Sequence, residues 1–327
     1  MEVQNENLKR MMRTWRLRTR ALELGRRTLV MGVVNITPDS FSDGGAFLDR
    51  EAAIAQGLRL LDEGADLLDL GAESTRPGSH AGGDRANDMD LSLGTPVGRT
   101  AGTDLTPTVS AEEEQARLLP VLKGILRARP KAVVSVDTYK AATARAALSV
   151  GAEIVNDISG FAWDAEMACT CAQAGCGVVL MHTRGRPEEW RTQSQLEGSE
   201  LLAMVRKGLK ASLAKAAAAG IADEAVVLDP GYGFGKRFDE NYALLARQAE
   251  LLALGRPLLA GVSRKSFLGR TLAQLHGGKD APVNARETAS VAAMVAVILH
   301  GASIVRVHAV RPAVEAARIA DAVLAAG

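Results

Sequence analysis

Leu29-Val-Met-Gly-Val-Val-Asn35 is an apolar run that ends on a single polar amide. A short run of this kind, rich in valine and without polar alternation, reads as a strand covered on both faces, as in parallel sheets. Positions 50–63 then carry helical spacing, and the strand–helix pair recurs to the end of the chain. Further strands are expected at Asp66–Leu70, Val133–Val136, Glu153–Val155, Val178–Met181, Val226–Leu228, Leu258–Val262 and Ile304–Val307. The matching helices are expected over 110–128, 139–149, 164–174, 197–219, 239–251, 286–300 and 312–325. Strands joined by helical crossovers give a parallel α/β architecture, and eight such units suit a (β/α)8 TIM barrel. An open doubly wound sheet would give the same local pattern.

The chain has 327 residues, 47% of them apolar and only 4% aromatic, which suits a large core built from Ala, Val and Leu. Residues 1–27 read as an N-terminal extension. Within it Trp15, Leu17 and Thr19 alternate with Arg16, Arg18 and Arg20, the period of a short β-ribbon. The barrel is expected to occupy 28–327 as one catalytic domain. A net charge of +1 creates no global field for nucleic acid or a membrane surface, so small molecules are the expected partners. No apolar run approaches the roughly 20 residues of a bilayer span, and a cytoplasmic location is expected. Cys169, Cys171 and Cys176 sit in one Ala-rich segment and read as small buried helix residues, because no other Cys or His cluster has matching ligand spacing.

Chemistry collects where the expected strands end. Asn35, Asp137, Asn156 and Asp229 end the first, third, fourth and sixth of these runs, and the eighth carries Arg306 and His308. Each could singly cap a helix or start a turn. Together with Lys265 they describe convergent polar groups over an apolar floor, which is a ligand pocket at the C-terminal face of a barrel. Two carboxylates and an amide suit a flat heterocycle with parallel N–H donors, such as a pterin. Arg76, which follows Ser74 and Thr75 in a loop, joins Arg306 and His308 as cationic donors suited to a diphosphate. The stretch Gly231, Gly233, Gly235, Lys236 is too short for a nucleotide-binding P-loop and reads equally as a tight turn.

These residues lie within longer motifs. Met31-Gly-Val-Val-Asn-Ile-Thr-Pro-Asp-Ser-Phe-Ser-Asp-Gly-Gly45 and Asp69-Leu-Gly-Ala-Glu-Ser-Thr-Arg-Pro-Gly78 resemble the two signatures of dihydropteroate synthases. The resemblance continues through Ser135-Val-Asp-Thr138, Asn156-Asp-Ile-Ser-Gly160, Asp229-Pro-Gly-Tyr-Gly-Phe-Gly-Lys236, Ser263-Arg-Lys-Ser-Phe267 and Arg306-Val-His308. It covers nearly everything from Trp15 onward. It implies a cytoplasmic, homodimeric transferase of folate biosynthesis, the target of sulfonamides, that joins p-aminobenzoate to 6-hydroxymethyl-7,8-dihydropterin pyrophosphate. By the same resemblance Asn35 helps bind Mg2+ with the pyrophosphate, and Thr75 and Arg76 belong to a mobile loop near the phosphate and p-aminobenzoate. Asp137, Asn156, Asp229 and Lys265 hold the pterin, with apolar contact from Met181. Arg306 and His308 meet the departing pyrophosphate, and Phe41, Pro77, Phe234 and Ser266 lie near the aminobenzoate. Asp137, Lys265 and Arg76 are the catalytic candidates.

The sequence departs from that pattern in two places. An insertion at 80–108, rich in Gly, Asp, Thr and Ser, has the composition of a flexible segment. Ala72 stands where the family commonly has Gly. Pterin-dependent methyltransferases resemble the same barrel and its ring contacts, but require a corrinoid partner and no pyrophosphate clamp. A pterin-binding barrel without catalysis is the alternative from another class.

Overall fold

The computed structural model describes residues 11–36, 45–73, 109–190 and 192–326. The N-terminal ribbon pairs β1 (Arg13–Arg16) with β2 (Ala21–Leu24) in antiparallel register, Trp15 opposite Leu22. The strands β3 (Leu29–Asn35), β4 (Leu67–Gly71), β5 (Val134–Asp137), β6 (Ile154–Asp157), β7 (Gly177–Met181), β8 (Val226–Asp229), β9 (Leu258–Ala260) and β10 (Ala302–Val307) follow. These eight are parallel and close into a barrel in the order β10-β3-β4-β5-β6-β7-β8-β9. Chain order equals spatial order, which selects the TIM barrel over the open doubly wound sheet.

Helices pack outside: α1 (Gly45–Asp62), α2 (Ala111–Ala128), α3 (Ala141–Val150), α4 (Met167–Ala174), α5 (Gly198–Ala218), α6 (Phe238–Ala246), α7 (Ser266–Thr271), α8 (Glu287–Leu299) and α9 (Val310–Ala326). The start of α2 is fixed locally. Ser110 Oγ accepts the Glu113 N–H at 3.1 Å, and Glu112, Glu113 and Glu114 place negative charge at the positive end of the helix dipole. The short α7 was not anticipated, and the expected helix 239–251 divides into α6 and a 3-10 segment, Gln248–Leu254. At the division Gln248 turns inward and is fully buried, bonding Tyr232 Oη, the Val297 carbonyl and the His300 carbonyl. All three cysteines are free thiols, but only Cys171 is the buried helix residue expected: Cys169 lies on the exposed side of α4, and Cys176, though buried, follows the helix and leads into β7.

Two apolar layers divide the core. One lies between strands and helices. The other fills the barrel near its N-terminal end, where Leu29, Met31, Leu67, Val133, Ile154, Val179, Val227, Leu259 and Ile304 meet Trp15, Leu17 and Leu24 of the ribbon region. The indole of Trp15 is completely buried, and its Nε1–H bonds the Ala225 carbonyl at 3.0 Å. The apolar half of the ribbon therefore plugs the base of the barrel, and its arginines reach outward. Arg18, for example, donates to the Ala152 carbonyl on the rim.

Candidate active site

Strand side chains alternate with a period of two, so the apolar plug fixes what the rest of each strand sends inward. From Leu67 the same face carries Asp69 and Gly71; from Val133 it carries Ser135 and Asp137. By the same count Ile154 leads to Asn156, Val179 to Met181, Val227 to Asp229, Leu259 to Gly261, and Ile304 to Arg306 and His308. Met31 leads through Val33 to Asn35. The interior thus changes from apolar at the base to polar at the mouth. Glycine at 71 and 261 leaves room there: a Cβ on Gly71 would sit 3.6 Å from Asp137 Cβ, and one on Gly261 3.8 Å from Arg306 Cβ.

Arg306 organises the floor of this mouth. Its Nη2 donates to Asp137 Oδ2 at 2.8 Å and its Nε to Asp69 Oδ2 at 2.6 Å. Asn156 Nδ2 donates to the same Asp69 oxygen at 2.9 Å. Burial opposes the Arg306 charge, but Asp69 and Asp137 outweigh it and raise its pKa. Burial pushes the Asp137 carboxyl up to about 7 against the pull of Arg306, with the negative charges of Asp69 and Glu114 adding to the rise. Asp229 is likewise raised by burial, opposed by the Gly231 N–H on its Oδ1 at 2.7 Å and by Lys265, Lys236 and Arg306. Two carboxyls with raised pKa values, facing cations in a concave mouth, form a site able to grip a polar ring and stabilise charge.

The loops after β8, β9 and β10 supply the remaining groups. Gly231, Gly233 and Gly235 all have left-handed backbone, φ +72°, +80° and +69°. The tight-turn reading of this stretch is therefore the correct one. Lys236 nails the turn from inside, its Nζ donating to the carbonyls of Gly231 at 2.7 Å, His182 at 3.1 Å and Phe234 at 3.3 Å. The turn presents Phe234, whose ring lies 3.9 Å from Lys265 Nζ and edge-on to Trp190. Lys265 precedes α7, and Ser266, its first residue, is exposed. Ser263 Oγ lies 3.0 Å from His308 Nδ1 and accepts the His308 backbone N–H at 3.3 Å, tying the loop after β9 to the end of β10. Met181 closes β7 and is buried. Phe41, Thr75, Arg76, Pro77 and the insertion at 80–108 lie outside the described residues.

Among the described residues no cluster of three or more His, Cys, Asp or Glu side chains is arranged to hold a metal. Asn35, half-buried at the end of β3, offers one neutral amide oxygen. That donor set fits Mg2+ as an ion taking most of its shell from phosphate oxygens and water.

Comparison with known proteins adds a family. The model of the pterin binding enzymes matches residues 31–93 and 97–308, most of the chain. The chain belongs to the pterin binding enzyme family. Its relatives include the dihydropteroate synthase of Mycobacterium leprae, 42% identical over 91% of this chain and 94% of the relative, and that of Escherichia coli, 36% identical over 91% and 92%. Among solved structures, a Xanthomonas albilineans dihydropteroate synthase with 4-aminobenzoic acid superimposes with a TM-score of 0.78 at 36% identity, covering 96% of this chain and 99% of that one. Another from the same organism, in complex with 7,8-dihydropteroate, gives 0.74 at 34% identity, covering 94% and 97%.

Two groups of this pterin-binding enzyme escaped the sequence reading. Asp69 sits inside an apolar run rather than at its end, and only the count of alternating positions brings it to the interior. Lys236 was visible as part of the glycine stretch, but its partners lie as far as 54 residues away in sequence. His182, beside it, is buried, and burial followed by the Lys236 charge lowers its pKa well below the ordinary range, so the ring is neutral.

Proposed function

We propose that this pterin-binding enzyme is a dihydropteroate synthase, joining p-aminobenzoate to 6-hydroxymethyl-7,8-dihydropterin pyrophosphate with release of pyrophosphate. The observation that carries the reading is the convergence of Asp137, Asn156, Asp229 and Arg306 on the interior of the barrel mouth, with Lys265 close enough to act on both carboxyls. A pterin ring offers N–H donors to these carboxyls and ring acceptors to the cations. The relatives that carry 4-aminobenzoic acid and 7,8-dihydropteroate support the same substrates.

In this reading Asp137, Asn156, Asp229 and Lys265 hold the pterin, and Met181 packs against it. Arg306 and His308 face the pyrophosphate side, and Phe234 and Ser266 border the arylamine. Phe41, Thr75, Arg76 and Pro77 belong to the same assignment on their sequence motifs. The bond from the pterin methylene to the pyrophosphate oxygen breaks, and the arylamine nitrogen bonds that carbon and loses a proton. The electron-rich ring carries the positive charge between these events. Asp137, ionised, stabilises it, and the cations stabilise the leaving group. No protein nucleophile is needed; the protein orients the amine and excludes water. Asn35 would hold Mg2+, which when bound supplies Lewis-acid stabilisation of the pyrophosphate.

The same reading includes a homodimer formed through late helices. It is supported by α8, an apolar helix whose Ala292 is exposed and whose Val291 and Val295 are partly so. Light scattering after size exclusion tests it. Sulfonamides would compete with p-aminobenzoate. The relative from Yersinia pestis, 35% identical with a TM-score of 0.79, was solved with a sulfonamide drug complex. No helix among the described residues is long and apolar enough to cross a membrane. A cytoplasmic location fits three free thiols. Incubation with the pterin pyrophosphate, p-aminobenzoate and Mg2+, followed by chromatography for 7,8-dihydropteroate, tests the activity; pterin binding without product would leave a binding barrel.

A further inference from the structure

Asp69 is a carboxylate in an unusual place. It lies within Leu67-Leu-Asp-Leu70, two residues before the end of β4, and is completely sealed from solvent. Burying a carboxylate in a barrel core costs several kcal/mol before its partners are counted, by roughly the desolvation penalty of an ion. An aliphatic side chain would serve the packing better. Both hydrogen bonds found for its side chain go to residues of the site, Arg306 Nε and Asn156 Nδ2, and both fall on Oδ2. Among the described residues its other oxygen, Oδ1, has no hydrogen-bond partner, and neither does Ser135 Oγ, its register partner on β5. The carboxylate is therefore not consumed in satisfying the surrounding core.

The two donors reach Asp69 from opposite sides. In the closed barrel β10 and β6 each lie two strands from β4, so one oxygen ties together side chains from distant parts of the wall. The consequences differ for the two. Arg306 has its Nε edge held, which fixes the plane of its guanidinium and aims Nη2 at Asp137. Asn156 has its amide orientation decided: a flipped amide would set an oxygen against the Asp69 carboxylate, so Nδ2 faces the floor and Oδ1 is left as an acceptor for a ligand N–H.

We propose that Asp69 is a positioning residue of this site, holding the Arg306 guanidinium and the Asn156 amide in the orientations with which they meet a pterin. The identity of the ligand rests on the synthase reading; the anchor itself does not. Asp69 touches no substrate and works through its two partners. Because both bonds fall on one oxygen, Asn would keep an acceptor there, whereas Leu keeps the shape and removes both the charge and the acceptor. In Asp69→Leu Arg306 keeps its bond to Asp137, and the Asn156 amide loses its orienting bond.

The test combines Asp69→Leu with a measurement on the unaltered protein. Calorimetric titration with the pterin pyrophosphate should show affinity reduced about tenfold or more, the effect of losing hydrogen bonds to a charged group. The KM for p-aminobenzoate at saturating pterin should stay within about twofold. The pH midpoint of pterin binding should move down. Among the groups that act on Asp137, namely Arg306, Asp69, Glu114 and Lys265, one negative charge is lost and Arg306 is freed toward it. A purely structural ion pair would leave that midpoint in place. In unaltered protein carrying 15N-arginine, the Arg306 Nε–H should be protected from solvent exchange and be assigned by its loss in Arg306→Lys. Pterin affinity within about twofold of the parent with an unmoved midpoint overturns the proposal, and so does a rapidly exchanging Nε–H, which decides the matter if Asp69→Leu does not fold. Parent protein that forms no dihydropteroate but keeps a protected Nε–H removes the synthase reading and leaves the anchor standing.

Discussion

Asp137 Oδ2 lies 2.8 Å from Arg306 Nη2 across the barrel mouth, and yet the Asp137 carboxyl is held up at about 7. Burial dominates, and the guanidinium compensates only in part. A carboxyl with a raised pKa is protonated below that value, so its N–H-accepting form gains population as pH rises. Pterin affinity should therefore be about tenfold weaker at about pH 6 than at about pH 8, and Asp137→Asn should be weak and flat across the range. Calorimetry at a series of pH values reads both. The sign for stability is opposite. The folded protein binds a proton that the unfolded chain releases at ordinary carboxylate pH, so this contribution is present below that range and lost as pH rises through about 7. Without ligand, the melting temperature should fall over that window, less steeply in Asp137→Asn.

Lys236 should matter to stability more than its place in a glycine-rich loop suggests. Its buried ammonium serves three carbonyls, and burial lowers its pKa to about 7 with Asp229 opposing the fall. Lys236→Met would leave those carbonyls unpaired and cost about 3 kcal/mol in urea unfolding. The Phe234 ring and its contact with Lys265 depend on the same turn, so pterin affinity should fall too. An unchanged unfolding midpoint would show that the turn holds without it.

Gly231→Ala should be more damaging than the loss of flexibility alone. The backbone there is left-handed, and a Cβ would come 1.9 Å from the His182 carbonyl oxygen. Local strain and displacement of that carbonyl should lower stability by about 2 kcal/mol or more. Gly220, also left-handed but with open space around its Cβ position, is the control, and Gly220→Ala should cost about half as much. Thermal unfolding of the two variants compares them directly.

Trp15 separates stability from function. Its indole is buried in the plug at the base, away from the polar layer at the mouth. Trp15→Ala should lower stability by roughly 3–5 kcal/mol through the cavity it leaves. In the fraction that remains folded, pterin affinity should stay within about twofold. A parallel loss of affinity at a temperature well below unfolding would mean that the plug shapes the mouth.

Much of this architecture was legible in the sequence because strand and helix periods alternate cleanly, and because polar residues end apolar runs at Asn35, Asp137, Asn156 and Asp229. Strand ends are conspicuous to such a reading. Asp69 is not at one, and it became visible only when Leu67 was seen to face the plug, which sets the parity of β4. The division of the helix at Gln248 depends on carbonyls of α8 and the residue after it, and no local propensity encodes them. Lys236 is the same kind of case. Its sequence neighbours announce a turn, while the reason for the lysine is the His182 carbonyl at the end of another strand.

The most direct test of the account is pyrophosphate release from 6-hydroxymethyl-7,8-dihydropterin pyrophosphate, followed with and without p-aminobenzoate and Mg2+, in the parent protein and in Asp137→Ala and Lys265→Ala. The account requires sustained release coupled to 7,8-dihydropteroate in the parent when both are present. It also requires loss of most turnover in the two variants while their melting curves remain cooperative. A folded parent that binds the pterin but yields no dihydropteroate, or variants that turn over near the parent rate, would contradict it.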